Sequence, residues 1–291
     1  MTPRLFCFGL GYSARWLVDI VREEGWSVAG TCRSEEKRAA LAAEGIEAVL
    51  FETAATALEG ATHILVSAPP GEDGDPVLAA CRDAIAGLHG LEWLGYLSTT
   101  SVYGDHGGAW VTEESALTPA TDRGRRRLAA EEGWLILWRD HGVPVHLFRL
   151  SGIYGPGRSA IDAVRAGRAK RIDKPGQVFN RIHVADIART LRASIARPNP
   201  GAAYNLADDD PAPSREVTQY ACALLGAPLP LLVPFEEAGL SAMARSFYAD
   251  DKLVSNGRIK RELGVRLLYP GYRDGLSAQM SAGQEDGSSP A

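Results

Sequence analysis

The chain has 291 residues, 45% of them hydrophobic, and its 31 basic and 36 acidic side chains give a formal net charge of -5. This size and composition are typical of a globular protein with a buried core, and the charge balance provides no overall positive field for a nucleic acid backbone. Nucleic acid is therefore not expected as a partner.

Strand-like segments alternate with helical patterns through the first half of the chain. Strands are expected at RLFCFGL (4–10), WSVAGTCR (26–33), EAVLF (47–51), HILVSAPP (63–70), LEWLGYLSTT (91–100) and VPVHLFRL (143–150). After the first strand, the spacing of a helix with one buried face is found at Ala14, Leu17, Val18 and Val21. An arginine-rich helix precedes the last strand. Such alternation predicts βαβ units around a parallel sheet.

The composition changes beyond Leu150. Turn-rich stretches such as SGIYGPGRS and DDDPAPS are separated by the helical segments VADIARTLRASIA and SREVTQYACALLG. This texture indicates a smaller, more irregular region. The final segment, residues 281–291, is small, polar and aperiodic, which predicts a flexible tail.

Cysteine placement and hydropathy bear on the cellular compartment. No C-x-x-C pair occurs, so the sequence indicates neither a disulfide framework nor a metal site at Cys7, Cys32, Cys81 and Cys222. No apolar run approaches the roughly 20 residues of a membrane-spanning helix, and no targeting leader is evident. We therefore expect a cytoplasmic protein without a membrane partner.

A glycine turn connects the first strand to the first helix. Gly9, Gly11 and Ala14 form a G-x-G-x-x-A pattern, with Tyr12 and Ser13 at the helix start. Gly9 permits a tight turn, Gly11 lets the backbone approach a pyrophosphate, and Ala14 allows close helix packing. The pattern predicts dinucleotide binding, and a plain strand-to-helix turn is the alternative.

The end of the second strand indicates which dinucleotide is preferred. NAD sites usually carry an acidic residue there, whereas this chain has Arg33 and Ser34. A guanidinium beside a hydroxyl suits a 2′-phosphate, so we expect NADP(H) to be preferred, with NAD(H) possible. The alternative is a solvated Arg33, paired if at all with Glu35 or Glu36.

Four further phrases, LSTTSVYGD, FRLSGIYGPGR, RIHVADIA and AYNLADDD, follow one another along the chain. With them, the sequence resembles the extended short-chain dehydrogenases/reductases of the NAD-dependent epimerase/dehydratase family over about residues 4–275. GLGYSA, SAPPG and TDRGRRRL are most similar to the atypical subgroup. The resemblance implies a Rossmann-type doubly wound α/β sheet with helices on both faces and a small mixed C-terminal substrate cap.

The resemblance also implies a division of the chain and an activity. Residues 1–150 would form the NAD(P)-binding domain, with 178–206 contributing to it, and residues 151–280 the substrate cap. The implied activity is that of an NAD(P)-dependent oxidoreductase or an epimerase/dehydratase-like enzyme. An anionic small molecule such as a nucleotide sugar is the expected substrate, and the protein is expected to be a monomer or a homodimer.

By resemblance, the catalytic positions carry unusual residues. Thr99 corresponds to the hydroxyl residue that binds the reacting oxygen. Arg123 stands in place of the acid/base tyrosine, and Arg127 in place of the lysine that holds the nicotinamide ribose. A guanidinium has a pKa above about 12 and cannot exchange protons at neutral pH, so Arg123 is better suited to binding anionic oxygens. An ion pair of Arg127 with Glu131 is the alternative for that residue.

The remaining cofactor positions are assigned by resemblance alone. After the fourth strand, Ser67, Ala68 and Pro69 are expected to line the cofactor. Ser151, after the last strand of the first half, is expected beside the nicotinamide.

Other titratable and basic residues are further candidates. Tyr103, Tyr154 and His106 are considered as acids that could replace the missing tyrosine, while His183 is expected to be structural. An anionic substrate or plain surface charge would equally account for Arg158, Arg171 and Arg181. Loss of the tyrosine and lysine leaves a second hypothesis open, a dinucleotide-binding redox sensor or regulatory protein without turnover.

Overall fold

The computed structural model describes residues 2–285. Its strands are β1 (Arg4–Phe8), β2 (Ser27–Cys32), β3 (Glu47–Leu50), β4 (His63–Val66), β5 (Trp93–Thr99), β6 (Trp110–Val111), β7 (Val145–Leu150), β8 (Gly152–Tyr154), β9 (Arg171–Asp173), β10 (Arg181–His183), β11 (Ala203–Leu206), β12 (Leu232–Pro234) and β13 (Leu253–Val254). Its α-helices are α1 (Tyr12–Glu23), α2 (Glu35–Ala43), α3 (Ala54–Ala57), α4 (Pro76–Ala86), α5 (Asp122–His141), α6 (Ala160–Arg165), α7 (Val184–Ala196), α8 (Ser214–Leu225), α9 (Ala242–Ser246), α10 (Gly257–Glu262) and α11 (Tyr272–Glu285).

Seven parallel strands form the main sheet in the order β3, β2, β1, β4, β5, β7, β11. The chain winds outward from β1 in one direction through β2 and β3, and then in the other direction from β4 onward. This is the doubly wound Rossmann arrangement, so the predicted fold class is confirmed. In such sheets, ligands bind in the crevice outside the carboxyl ends of the two central strands, here β1 and β4.

Helices cover both faces of this sheet. On one face α1 and α7 pack against it through Leu17 and Ile187, and on the other α4 and α5 pack through Val77 and Trp134. The predicted inner face of α1 is buried, as its spacing indicated. Because both faces are covered, the strands are apolar almost throughout, which is typical of parallel sheets.

The region beyond Leu150 is built from short elements. β8 pairs with β10 and β9 pairs with β12, both in parallel. Helices α6, α8 and α11 enclose a separate apolar cluster around Ile161, Val217 and Leu276. The chain returns to the main sheet at β11, which pairs with β7, while α7 packs against α1.

Some boundaries differ from the sequence-based expectation. β4 ends at Val66, so the prolines that follow it lie in a loop. α11 continues to Glu285, so residues 281–285 are helical, although a tail was predicted from 281; the rest of that predicted tail lies outside the described residues. All four cysteines are free and buried. Between residues 2 and 285, no helix combines the length and the apolar character needed to cross a membrane.

Candidate active site

The glycine turn after β1 lies against the end of β4. Gly9 has a φ of +89°, and a Cβ at this position would lie 2.9 Å from the Oγ atom of Ser67. The Ser67 hydroxyl donates a hydrogen bond of 2.6 Å to the Gly9 carbonyl, and the Gly9 amide donates one of 3.0 Å to the Thr31 hydroxyl. The turn is therefore fixed at the crevice between the two central strands.

The space above the turn is open. A Cβ on Gly11 would have no atom within 4 Å, and Gly11 caps α1 without a side-chain hydrogen bond to the first amides of the helix. Ser13 and Ala14, in the first helical turn, are buried. Free amides at a helix N-terminus and room for close approach fit a pyrophosphate. Ala68, which precedes Pro69, is held by a hydrogen bond of 3.1 Å from its amide to the Phe8 carbonyl.

The end of β2 presents an unpaired cation. Arg33 is exposed, and no ion pair holds it within the described part of the chain. Glu35 instead pairs with Arg38 at 2.6 Å. Arg33 thus forms no ion pair with Glu35, and its exposed side chain is also what the alternative of a solvated Arg33 expects. The Ser34 hydroxyl caps α2 by accepting a hydrogen bond of 3.2 Å from the Lys37 amide.

Three hydroxyl residues are grouped at the carboxyl ends of β5 and β7. Thr99 is paired with Leu150, the residue before Ser151, and the Thr99 Oγ1 atom accepts a hydrogen bond of 3.3 Å from the Ser101 amide. The Ser151 side chain is buried, and the Oγ atoms of Ser101 and Ser151 have no hydrogen-bond partner among residues 2–285. Each of these two hydroxyl groups needs a hydrogen-bond partner other than the described protein atoms, either a water molecule or a ligand.

Helix α5 begins directly beside these hydroxyl residues. The Ser101 carbonyl lies 2.9 Å from where a Cβ on Gly124 would be, so only a glycine lets the helix approach this closely. The neighbouring Arg123 is exposed, and its guanidinium carbon lies 5.8 Å from the centre of the Phe247 ring. The first turn of α5 thus places Arg123 next to the three hydroxyl residues Thr99, Ser101 and Ser151.

Arg127 is buried one turn further along α5. Its Nη1 atom donates to the Tyr96 hydroxyl at 2.9 Å and to the Leu97 carbonyl at 2.8 Å, which ties the helix to β5. The alternative partner, Glu131, pairs with Arg149 at 2.8 Å, so the suggested Arg127–Glu131 pair is wrong. A buried tertiary partner prevails over the i, i+4 neighbour.

The other two arginines of the segment TDRGRRRL, Arg125 and Arg126, lie at the surface. Arg125 forms an ion pair with Asp122, one turn earlier on the same helix. Arg126 lies 3.9 Å from Glu72. Both have partners, unlike Arg123.

The candidate acids are occupied by structural contacts. The Tyr103 hydroxyl donates to Asn205 at 2.7 Å and that of Tyr154 to the Gly271 carbonyl at 3.2 Å, and burial raises the pKa of both phenols. His183 Nδ1 accepts a hydrogen bond from the Ala185 amide, and burial lowers the pKa of His183 to about 4. His106 Nε2 lies 3.1 Å from the Tyr103 carbonyl.

The cap reaches the glycine turn at Tyr12, through two contacts that the sequence did not reveal. The Tyr12 hydroxyl donates a hydrogen bond of 3.0 Å to the Pro156 carbonyl, and the guanidinium carbon of Arg158 lies 5.9 Å from the centre of the Tyr12 ring. Of the other cap arginines, Arg171 donates to the Pro230 carbonyl, while Arg181 donates to backbone carbonyls and lines a cavity of about 230 Å³.

Comparison with known proteins agrees with this arrangement. The sequence model of the NAD dependent epimerase/dehydratase family matches residues 73–207, which include β5, α5 and β7. This segment, just under half of the chain, carries the sequence pattern of that family.

Three known proteins illustrate the range of similarity to this chain. A functionally unknown conserved protein from Silicibacter pomeroyi DSS is 51% identical, with a TM-score of 0.91 over 97% of this chain and 99% of the other. Protein YeeZ of Escherichia coli (strain K12) is 28% identical over 90% of this chain and 94% of its own length. MoeE5, solved with UDP-glucuronic acid and NAD, is 20% identical with a TM-score of 0.76 over 98% and 99% of the two chains, which shows a shared fold.

Proposed function

We propose that the chain is an NADP(H)-dependent oxidoreductase or epimerase/dehydratase-like enzyme that acts on an anionic small molecule such as a nucleotide sugar. The observation that carries the cofactor preference is Arg33, which is exposed and free of an ion pair among residues 2–285, directly after β2. In the Rossmann arrangement this position lies beside the adenosine ribose. A free guanidinium there supports recognition of a 2′-phosphate.

The residues around the turn fit the dinucleotide. Gly9, Gly11 and the first amides of α1 would hold the pyrophosphate, since the Cβ position of Gly11 is open. The loop that starts at Ser67 would line the adenosine side, and Ser151 would offer its free hydroxyl to the nicotinamide end. When bound, the cofactor supplies or accepts a hydride.

Where the nicotinamide meets the substrate, the residues of the chain would bind and orient the substrate. Thr99, at the end of β5, would donate a hydrogen bond to the reacting oxygen. Arg123 would stabilise negative charge without giving up a proton, because its guanidinium stays charged at neutral pH. Arg127, held by Tyr96, would keep the first turns of α5 in place and reach toward the ribose.

The test is a hydride-transfer assay. The protein is incubated with NADPH or NADP⁺ and a panel of nucleotide sugars, aldehydes and ketones, and the absorbance of the reduced nicotinamide is followed. Turnover that falls by about 10²-fold in Thr99→Ala supports the proposal. Thr100→Ala is the matched control. It removes a neighbouring hydroxyl that has no proposed role toward the reacting oxygen and instead lies 3.5 Å from the Leu150 carbonyl.

A second candidate function is a dinucleotide-binding sensor without turnover. It is favoured by the observation that the Tyr103 and Tyr154 phenols are both engaged in structural hydrogen bonds, while Arg123 cannot exchange a proton. Tight NADPH binding with no reaction across the whole panel would support the sensor over the enzyme.

A further inference from the structure

The first turn of α1 contacts a loop of the cap, residues 155–158, which we call the cap loop. Tyr12 is the first residue of α1, and its hydroxyl donates a hydrogen bond of 3.0 Å to the Pro156 carbonyl. The guanidinium carbon of Arg158 lies 5.9 Å from the centre of the Tyr12 ring. A Cβ on Gly155 would lie 2.7 Å from the Tyr12 hydroxyl oxygen, so only glycine lets the loop approach this closely. The cap loop is thus fitted to the Tyr12 side chain.

The cap loop connects the nicotinamide end of the candidate site to the cap helices. Ser151, proposed to lie beside the nicotinamide, is followed by β8, which leads directly into the loop. After the loop, Ser159 caps α6 and donates a hydrogen bond of 2.7 Å to Asp162. Asp162 also accepts a hydrogen bond of 3.1 Å from Gln279 on α11. The position of the cap loop therefore bears on α6 and on its contact with α11.

On the other side of this contact, the first turn of α1 lacks a capping group of its own. Gly11 is the N-cap residue and has no side chain to accept a hydrogen bond from the first amides of the helix. Helix ends without such an acceptor fray, because their amides have no partner within the helix. A bound pyrophosphate would give these amides an acceptor. Because Tyr12 belongs to this turn, occupancy of the turn would also restrict the position of its side chain.

We propose that Tyr12 couples the two parts of the candidate site. With the dinucleotide bound at the glycine turn, the Tyr12 hydroxyl holds the cap loop, and with it α6, in the position that receives the substrate. Tyr12 is then a positioning residue, and the cofactor binds before the substrate. This inference rests on the proposed function and adds a role for the Tyr12 side chain, whereas the proposed function uses only the backbone amides of this turn.

The exposure of this contact distinguishes it from a hydrogen bond of the core. The Tyr12 side chain is partly exposed and Pro156 is exposed, so water competes for both groups. By contrast, the Tyr103 phenol is buried and bonded to Asn205 at 2.7 Å, where breaking the bond would leave a buried polar group without a partner. A contact that can open into water at low cost suits a joint that closes when a ligand binds beside it.

The experiment measures hydrogen–deuterium exchange of the full chain, with and without saturating NADPH, in the parent and in Tyr12→Phe. The reporter is the Arg158 amide, which donates to the Gly155 carbonyl at 2.9 Å and exchanges when the cap loop opens. In the parent, NADPH should slow exchange at the glycine turn and at the cap loop. In Tyr12→Phe, the slowing at the cap loop should fall about 2–10-fold, the net effect of one hydrogen bond, while the turn stays protected.

The matched control is Tyr220→Phe, which also removes a phenol hydroxyl. The Tyr220 hydroxyl lies 2.9 Å from the Ser277 Oγ atom, within the cap, so this variant should respond to NADPH like the parent. Calorimetric titration gives a second readout. Because coupling between two sites acts equally in both directions, Tyr12→Phe should bind NADPH about 2–10-fold more weakly, and Tyr220→Phe should bind it with the parent affinity.

Three results would overturn the proposal. If NADPH protects the cap loop of Tyr12→Phe as strongly as that of the parent, the effect of the cofactor does not pass through the Tyr12 hydroxyl. If Tyr12→Phe loosens the loop by the same factor with and without NADPH, the hydrogen bond is only structural. Protection of the parent at the glycine turn alone would overturn the coupling and leave the proposed function standing, whereas protection at neither place would overturn both.

Discussion

Glu131 on α5 and Arg149 on β7 form a buried ion pair, 2.8 Å long, directly beneath the strand ends that carry Thr99 and Ser151. Their side chains are 2% and 6% exposed. Ser98 also donates to Glu131, at 2.5 Å, so one carboxylate joins α5 to both strands. This contact holds the three segments of the candidate reaction end together.

Removing one partner of this pair should be costly. Glu131→Ala leaves the Arg149 charge buried and unpaired, and we expect a loss of about 3–5 kcal/mol in the free energy of unfolding. The double variant Glu131→Leu/Arg149→Met should recover part of that loss, since it leaves no buried charge. Urea unfolding of the three proteins measures both effects, and a loss below about 1 kcal/mol in Glu131→Ala would contradict this account.

The two glycines of the turn should differ in their response to alanine. Gly9→Ala introduces a Cβ at a φ of +89° and 2.9 Å from Ser67 Oγ. The free energy of unfolding should therefore fall by about 1–3 kcal/mol. Gly11, with a φ of -84° and no atom within 4 Å of its Cβ position, should accept alanine without loss of stability. Gly11→Ala should nevertheless weaken NADPH binding, because the methyl group occupies the approach to the pyrophosphate. Parent-like NADPH affinity in Gly11→Ala would place the dinucleotide elsewhere.

Asp208 should make stability depend on pH. Burial raises its pKa to about 8, whereas an unfolded aspartate titrates near 3.9. Between about pH 4 and pH 8 the folded state therefore holds a proton that the unfolded state has lost, so this residue's contribution to stability decreases as the pH rises. Asp208→Asn removes the titration, and its melting temperature relative to the parent should increase steadily over that window. A pH-independent difference between the two proteins would refute the shift, because the histidines are common to both.

The sequence was sufficient for the sheet and the turn because their signals are local. The spacing of Ala14 and Leu17 predicts the buried face of α1, and the glycine pattern predicts the turn at the end of β1. Each of these features depends on residues within one or two helical turns. The helix over 184–196 was predicted with its observed bounds for the same reason.

Contacts between residues that are far apart in the chain could not be predicted from the sequence. Glu131 is the i, i+4 neighbour of Arg127 on α5, but it pairs with Arg149 instead. Only the packing of α5 on β7 brings Glu131 and Arg149 together. Phe247 is distant in sequence from Arg123, and the loop at Pro156 is distant from Tyr12. No periodicity or motif relates such residues, because the cap positions them through the tertiary structure.

The central claim, an NADP(H) site with Arg33 as its selective residue, is tested most directly by calorimetric titration of NADPH and NADH into the parent, Arg33→Ala and Arg38→Ala. The parent should bind NADPH more tightly than NADH. Arg33→Ala should lose about 1.5–3 kcal/mol for NADPH and little for NADH, since a charge-assisted contact to the 2′-phosphate is removed. Arg38→Ala, which removes an exposed arginine already paired with Glu35, should behave like the parent. Equal affinities for the two nucleotides in the parent, unchanged by Arg33→Ala, would contradict the claim.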